Sequence, residues 1–228
     1  MMNILITGAG KGIGFEIAKL FSGEKGNKII GISRKTESLQ SLAIENIFPI
    51  QFDLANFNNY QSDLLPEIKK HFTKIDILIN NAGFLVNQPF QKISSIDFDQ
   101  TFDINIKSPF FLCQTLLPLM HSETHIVNIS SMGGFQGSAK FNGLSVYSAS
   151  KGALAILTEC MAEELKENGI KVNCVALGAV QTEMLSEAFP GYEAPLKPSE
   201  MAEFIVDFAI NGSKYFNGKI IPVTLSNP

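Results

Sequence analysis

Tyr147 and Lys151 stand four residues apart in "SVYSASKGALAILTECMAEELKENG", at the start of a segment with helical periodicity, so their side chains share one face. One is a weak acid and the other a cation. A phenol titrates near about 10 unaided, and an ammonium within about 4–6 Å favours the phenolate, so the pair predicts a proton donor tuned towards neutrality. The spacing alone is cheap. Tyr215 and Lys219 in "YFNGK" repeat it, but Asn217-Gly218 marks a turn there, and that pair is not expected to share a helical face. Ahead of the first pair, "NISSMGG" closes a strand pattern and brings Ser130 and Ser131 to its carboxyl end.

A second constellation lies at the other end of the chain. "TGAGKGIGFEIAKLF" places Gly8, Gly10, Gly12 and Gly14 between an apolar strand pattern and a helical one. Helix-start N–H groups carry partial positive charge, and glycine lets a diphosphate approach them closely. A P-loop would require Ser or Thr after Gly-Lys, whereas Lys11 precedes Gly12, and the strict GxGxxG spacing also fails. What remains is Thr7-Gly8-x-x-x-Gly12-x-Gly14, which fits dinucleotide binding and also fits tight packing of a helix on a sheet. "LINNAG" puts Asn80, Asn81, Ala82 and Gly83 at another strand end, and "FDINIKSPF" sets Asn105 inside a helix, where asparagine is a poor former. Each has a plainer reading: helix-capping serines, an ordinary turn, a satisfied buried amide.

These groups must be positioned by a larger frame. Seven strand-like segments, 3–7, 28–33, 47–53, 75–80, 125–130, 171–177 and 218–224, alternate with helical periodicity. Most are apolar on consecutive positions, which implies a parallel sheet buried on both faces. Right-handed crossovers then give a doubly wound α/β fold whose ligands sit at the carboxyl ends of the strands. Residues 14–23 read as the first helix, and Ser94 with Asp97 has capping-box spacing.

Composition excludes several alternatives. The chain has 228 residues, 45% of them apolar, enough for one sizeable core. A net charge of −4 without a dense basic block argues against nucleic-acid binding. No apolar run is long enough for a membrane span, and no signal peptide is evident, so a cytoplasmic protein is expected. Cys113, Cys160 and Cys174 read as buried thiols. "PLMHSETHIVNIS" reads as helix end, turn and strand, which would not align His121 with His125, and no metal site is expected.

Together these motifs resemble the short-chain dehydrogenase/reductase family over nearly the whole chain. Gly8-x-x-x-Gly12-x-Gly14, Asp53 after the third strand, Asn80-Asn81-Ala82-Gly83, Asn105, Ser131 and Tyr147-x-x-x-Lys151 come in the family's order. The 3-oxoacyl-carrier-protein reductase-like branch is the most similar. The resemblance implies one Rossmann-type domain over 1–228 and hydride transfer between a nicotinamide and a carbonyl or alcohol carbon. It implies that Tyr147 donates the proton, Ser131 holds the carbonyl oxygen, Lys151 binds the nicotinamide ribose and lowers the Tyr147 pKa, and Asn105 holds a relay water. The cofactor set it implies is Gly8, Gly10, Lys11, Gly12, Ile13, Gly14, Ser33, Arg34, Asp53, Leu54, Asn81, Ala82, Gly83, Tyr147, Lys151, Gly178, Val180 and Thr182. An acid at the end of the second strand would bind the adenosine 2'-hydroxyl; Ser33-Arg34-Lys35 stands there instead, predicting NADP(H) and reduction.

Departures from the family are also visible. Leu177-Gly178 replaces the usual Pro-Gly, the Ser131–Tyr147 connection is long and should bulge towards substrate, and Ser130 is a fallback for Ser131. An Asp-Gly-Gly tail is absent from "IIPVTLSNP", which puts in doubt a homotetramer that uses that tail; a homodimer through the Asn105 and Tyr147 helices or a homotetramer is expected. Phe84, Met132, Phe135, Phe141, Leu144, Met184, Leu185 and Phe189 are candidate pocket residues beside Ser131, favouring an apolar carbonyl substrate. Residues 178–198, with four Pro or Gly after Phe189, read as a lid. The competing class is a catalytically silent NADP(H) sensor, which predicts a damaged catalytic set.

Overall fold

The computed structural model describes residues 1–225. Seven strands, β1 (Asn3–Thr7), β2 (Lys28–Ser33), β3 (Ile47–Gln51), β4 (Ile75–Asn80), β5 (Met120–Ser131), β6 (Lys171–Leu177) and β7 (Ile220–Val223), form one sheet in the order β3-β2-β1-β4-β5-β6-β7. Every neighbouring pair is parallel. The expected doubly wound sheet is present, and the order reverses direction at β1, where β2 departs to one side and β4 to the other. That switch point opens a crevice at the carboxyl ends of β1 and β4.

Among the described residues, eight α-helices cross between strands: α1 (Gly12–Ser22), α2 (Glu37–Ser41), α3 (Leu65–Lys69), α4 (Ser95–Phe102), α5 (Ser108–Leu116), α6 (Ser145–Glu164), α7 (Glu183–Ala188) and α8 (Pro198–Asn211). On one face, Ile17 and Phe21 of α1 and Ile205 and Phe208 of α8 cover Ile4, Ile6, Val127 and Val175. On the other, Tyr60, Phe72, Leu112, Leu116 and Met161 cover Leu5, Leu78, Ile126 and Val172. Burial on both sides explains the unbroken apolar runs of β1, β2, β4 and β6, while the edge strands β3 and β7 are partly exposed.

Two expectations need correction. The histidine segment contains no separate turn: β5 begins at Met120, and a register shift between Ile75/Met120 and Ile77/His125 absorbs residues 121–124 as a bulge. His121 Nε2 then lies 2.9 Å from Asp76, while His125 Nδ1 lies 2.9 Å from the Ala209 carbonyl, so the rings serve different contacts. Cys113 and Cys174 are buried, but Cys160 is exposed, because α6 turns that face to solvent. Among the described residues, no cluster of three or more His, Cys, Asp or Glu is arranged for a metal, and no helix is long and apolar enough to cross a membrane. Residues 226–228, where the family tail would differ, lie outside the described residues.

Candidate active site

The glycine turn joins β1 to α1, and its glycines serve different physical needs. Gly8 (φ 68°) and Gly12 (φ 57°) adopt left-handed backbone that favours glycine. A Cβ on Gly8 would sit 2.8 Å from Ala82 Cα; on Gly14 it would collide with Asn81 and the Gly8 carbonyl, and on Gly10 with Ser33 Oγ. Close approach of protein to protein therefore explains much of the motif. Gly12 differs, for a Cβ there would meet nothing nearer than Glu183 Oε2 at 3.4 Å and Thr182 Cγ2 at 3.5 Å. The first turn of α1 has no side-chain cap and no acidic residue. Its N–H groups are the kind of uncapped, electropositive cradle that suits a diphosphate.

The strand ends around this turn are braced by polar side chains. Thr7 Oγ1 accepts from the backbone N–H groups of Asn81 and Ala82, both at 3.0 Å, and Asn81 Nδ2 donates to the Thr7 and Gly8 carbonyls. Deeper, Asn80 Nδ2 donates to Asn128 Oδ1 at 2.8 Å, and Asn128 Nδ2 to Thr158 Oγ1 at 2.9 Å. "NNAG" is thus a brace from β4 to β1 and β5, and leaves Gly83 open to the cleft. This chain of amides explains Thr158 in the buried stripe of α6, where Ser150 and Lys151 meet Asn105 and the Ile129 carbonyl instead.

On the far side of the switch point, β5 ends with Ser130 and Ser131 facing different ways. Ser130 Oγ is buried and donates to the Lys151 carbonyl at 2.8 Å, so it is committed to holding α6 and does not serve as the fallback hydroxyl. Ser131 Oγ faces the cleft, accepts from Gly133 N–H at 3.1 Å and hydrogen-bonds the Tyr147 phenol. Lys151 is buried, its Nζ donates to the Ile129 carbonyl at 2.8 Å, and it lies 5.9 Å from the Tyr147 ring centre. Tyr215 ends a 3-10 turn and Lys219 lies past Asn217-Gly218, so the second pair shares no helix.

The charge states differ from the expected tuning. Burial pushes the Tyr147 phenol up to about 12, with the Ser131 hydrogen bond opposing the rise, and burial brings the Lys151 ammonium down to about 8. The anticipated lowering of the Tyr147 pKa by Lys151 is absent here. Its physical reason is placement: the ammonium donates to the Ile129 carbonyl and is itself desolvated. In this state the phenol keeps its proton.

Asn105 occupies a π-helical turn, Asp103–Lys107, inserted between α4 and α5. Its Oδ1 accepts from Phe84 N–H at 2.8 Å, while Nδ2 donates to the Phe84 carbonyl and to Ser150 Oγ, each at 2.9 Å. The amide is buried and clamps the Gly83–Phe84 strand end to the Tyr147 helix. It does not itself line the cleft.

One cleft of about 730 Å³ connects these parts. Gly8, Gly10, Lys11, Gly12, Ile13, Ser33, Arg34, Asp53, Leu54, Asn81, Ala82, Gly83, Tyr147, Lys151, Gly178, Val180 and Thr182 all line it, while Gly14 is packed behind. Ser131, Met132, Phe84, Phe141, Leu144, Met184, Leu185 and Phe189 line the other half, but Phe135 does not. Ala139, Phe141 and Leu144 place the long connection on the cleft wall, as its length implies. Sequence reading missed Gln100, Ile104, Glu183 and Tyr192; the four-residue spacing of Gln100 and Ile104 ahead of Asn105 was a usable signal. Arg34 and Asp53 sit at the far end, and Asp53 Oδ1 accepts from Ala55 N–H at 3.0 Å. No carboxylate of β2 opposes a phosphate there, as Ser33 closes the strand and Arg34 and Lys35 are exposed.

A switch-point crevice with an uncapped helix start at one end and a Ser–Tyr–Lys constellation at the other defines a nucleotide-binding oxidoreductase site. Residues 2–193 match the family model for short chain dehydrogenase, and the chain belongs to that family. An uncharacterized oxidoreductase of Staphylococcus aureus (strain USA300) is 30% identical over 225 residues, covering 96% of this chain and 95% of the relative. A short-chain dehydrogenase/reductase described as glucose/ribitol dehydrogenase, from Brucella melitensis, superposes with a TM-score of 0.86 at 27% identity, covering 97% of this chain and 94% of that one. The 3-ketoacyl-(acyl-carrier-protein) reductase of Brucella melitensis, solved with NADH, has a TM-score of 0.85 at 24% identity over 97% and 96% of the two chains, a likeness of fold.

Proposed function

We propose that this single-domain oxidoreductase reduces an apolar ketone, aldehyde or 3-oxoacyl compound with NADPH. The observation that carries the reading is the shared cleft: the glycine turn, Ser131, Tyr147 and Lys151 open into one space of about 730 Å³. When bound, the reduced nicotinamide supplies the hydride. The α1 N-terminus and Gly12 hold the diphosphate, while Arg34 and Ser33 take the adenosine 2'-phosphate, a role suited to a guanidinium fork beside a hydroxyl. Lys151 holds the nicotinamide ribose once its ammonium leaves the Ile129 carbonyl, and that movement brings positive charge towards the phenol oxygen. Ser131 holds the substrate oxygen and Tyr147 gives it a proton. Asn105 acts through position, fixing Phe84 against the Tyr147 helix, with a relay water assigned to its turn by the family's scheme.

The substrate half supports an apolar compound, since Phe84, Leu85, Ile104, Met132, Phe141, Met184, Leu185 and Phe189 line the cleft there. Residues 178–198 act as its lid. A homodimer through α4, α5 and α6 is supported by the exposed apolar side chains Ile96, Phe98, Phe110, Phe111 and Ile156. The complete Asn105, Ser131, Tyr147 and Lys151 set disfavours a silent sensor. The test is NADPH oxidation against a panel of ketones, aldehydes and 3-oxoacyl thioesters, with NADH alongside and Tyr147→Phe as control. Loss of turnover in the variant on the best substrate is expected; unchanged turnover would remove the phenol from the mechanism.

A further inference from the structure

We infer that the lid carries an internal anion latch: Glu183 and Glu187 of α7 compete with the cofactor's phosphates for the glycine turn and so set how tightly the dinucleotide binds. The inference rests on the dinucleotide reading of the cleft and adds a control built from this chain's own residues. Glu183 and Glu187 are four apart on one helix and therefore share a face. Glu187 Oε1 lies 3.7 Å from Lys11 Nζ, joining the lid to the loop that starts α1. Glu183 Oε2 is the nearest atom to the open side of Gly12, 3.4 Å from where a Cβ would stand. Glu183 thus faces the place where α1 begins without a cap or acid of its own, and Glu187 is tied to that start through Lys11.

The competition follows from charge. A helix start with free N–H groups attracts any anion, and the lid supplies one in Glu183. A diphosphate entering the same place meets that carboxylate at short range, with little room between, and must drive it off. Recruiting Lys11 to a phosphate likewise breaks its pair with Glu187. Met184 and Leu185, adjacent to Glu183, and Phe189, adjacent to the end of α7, line the substrate half. Displacing the acidic face of so short a helix therefore shifts the apolar wall as well, linking nucleotide arrival to the shape of the substrate space.

The test measures binding of NADPH, NADH and 2',5'-ADP to the purified full chain and to Glu183→Gln, Glu187→Gln and Lys11→Gln by calorimetry, at low and high salt. Glu183→Gln should tighten all three ligands about three- to tenfold at low ionic strength, a gain that shrinks as salt screens exposed charge. Glu187→Gln should tighten NADPH about two- to threefold, the scale of an exposed ion pair, and should have no effect in a Lys11→Gln background. Wild-type binding with either glutamine variant unchanged or weaker overturns the latch while leaving the cofactor site intact. If wild type and variants bind none of the three ligands, the dinucleotide reading itself falls and the latch falls with it. Thermal melts of all variants separate a folding defect, which would weaken every ligand, from the expected gain.

Discussion

Ser130 donates its hydroxyl proton to the main-chain carbonyl of Lys151 at 2.8 Å, pinning the end of β5 to the second turn of α6. Adjacent residues therefore divide between support and chemistry. Ser130→Ala is expected to cost about 1 kcal/mol of stability, because it removes a buried hydrogen bond tying β5 to α6, with kcat within about threefold. Ser131→Ala should spare stability and lower kcat about a hundredfold, the scale of losing one donor to a developing oxyanion. Denaturant melts beside initial rates distinguish the two; the reverse pattern would exchange their roles.

Tyr147→Phe removes the proposed donor and keeps the ring. Turnover should fall by about 10²–10⁴-fold, the range for losing a positioned general acid, with nucleotide affinity changed less than about threefold. Calorimetry and stopped-flow reduction of one carbonyl substrate check both halves.

Arg34→Ala should raise the KM for NADPH about tenfold or more and leave that for NADH within about threefold, since only the former carries the phosphate that a guanidinium fork holds. An equal loss for both cofactors would assign Arg34 to adenine stacking.

His125 gives an acid-stability prediction. Burial lowers its pKa, Nδ1 lies against the Ala209 carbonyl, and Asn173 Nδ2 lies 3.0 Å from Nε2, which fixes the neutral tautomer. The unfolded chain then binds a proton that the folded chain refuses. Stability is full above the unfolded value of about 6.5 and is lost as pH falls below it, at up to about 1.4 kcal/mol per pH unit for one proton. The Asp76 carboxyl, held below its usual range, is already ionised in both states there, so it acts only at lower pH. Melting wild type and His125→Gln between pH 7 and 5 should show a shallower decline in the variant.

Much of the fold was legible because burial on both sheet faces writes apolar runs directly into the strands. Strand limits at 3–7, 28–33, 75–80 and 171–177 coincide with the structure, and the Ser94–Asp97 box forms with both hydrogen bonds. The amino end of β5 was not legible, since its polar residues 121–124 occupy a bulge, and a bulge has no periodicity. The cleft-lining set followed from motif order, yet the packing duties of Gly8, Gly10, Gly14 and Asn81 depend on strands that are distant in sequence. The ionisation of Tyr147 and Lys151 was misread for a related reason: four-residue spacing reports a shared face, while the direction of an ammonium depends on which carbonyl lies in reach.

The π turn at Asp103–Lys107 has a consequence for how this chain tolerates insertion and deletion. A π turn holds one residue more than the α-helix it interrupts. Deleting one residue there would restore regular winding and keep the faces beyond it in phase, whereas closing the turn to α geometry with all five residues kept would rotate everything beyond it by about 100°. Leu112, Cys113 and Leu116 of α5 would leave the sheet and Phe110 and Phe111 would turn inward, although no contact of those side chains had been altered directly. Helical phase, set by five residues around Asn105, thus decides which side of α5 is core and which is surface.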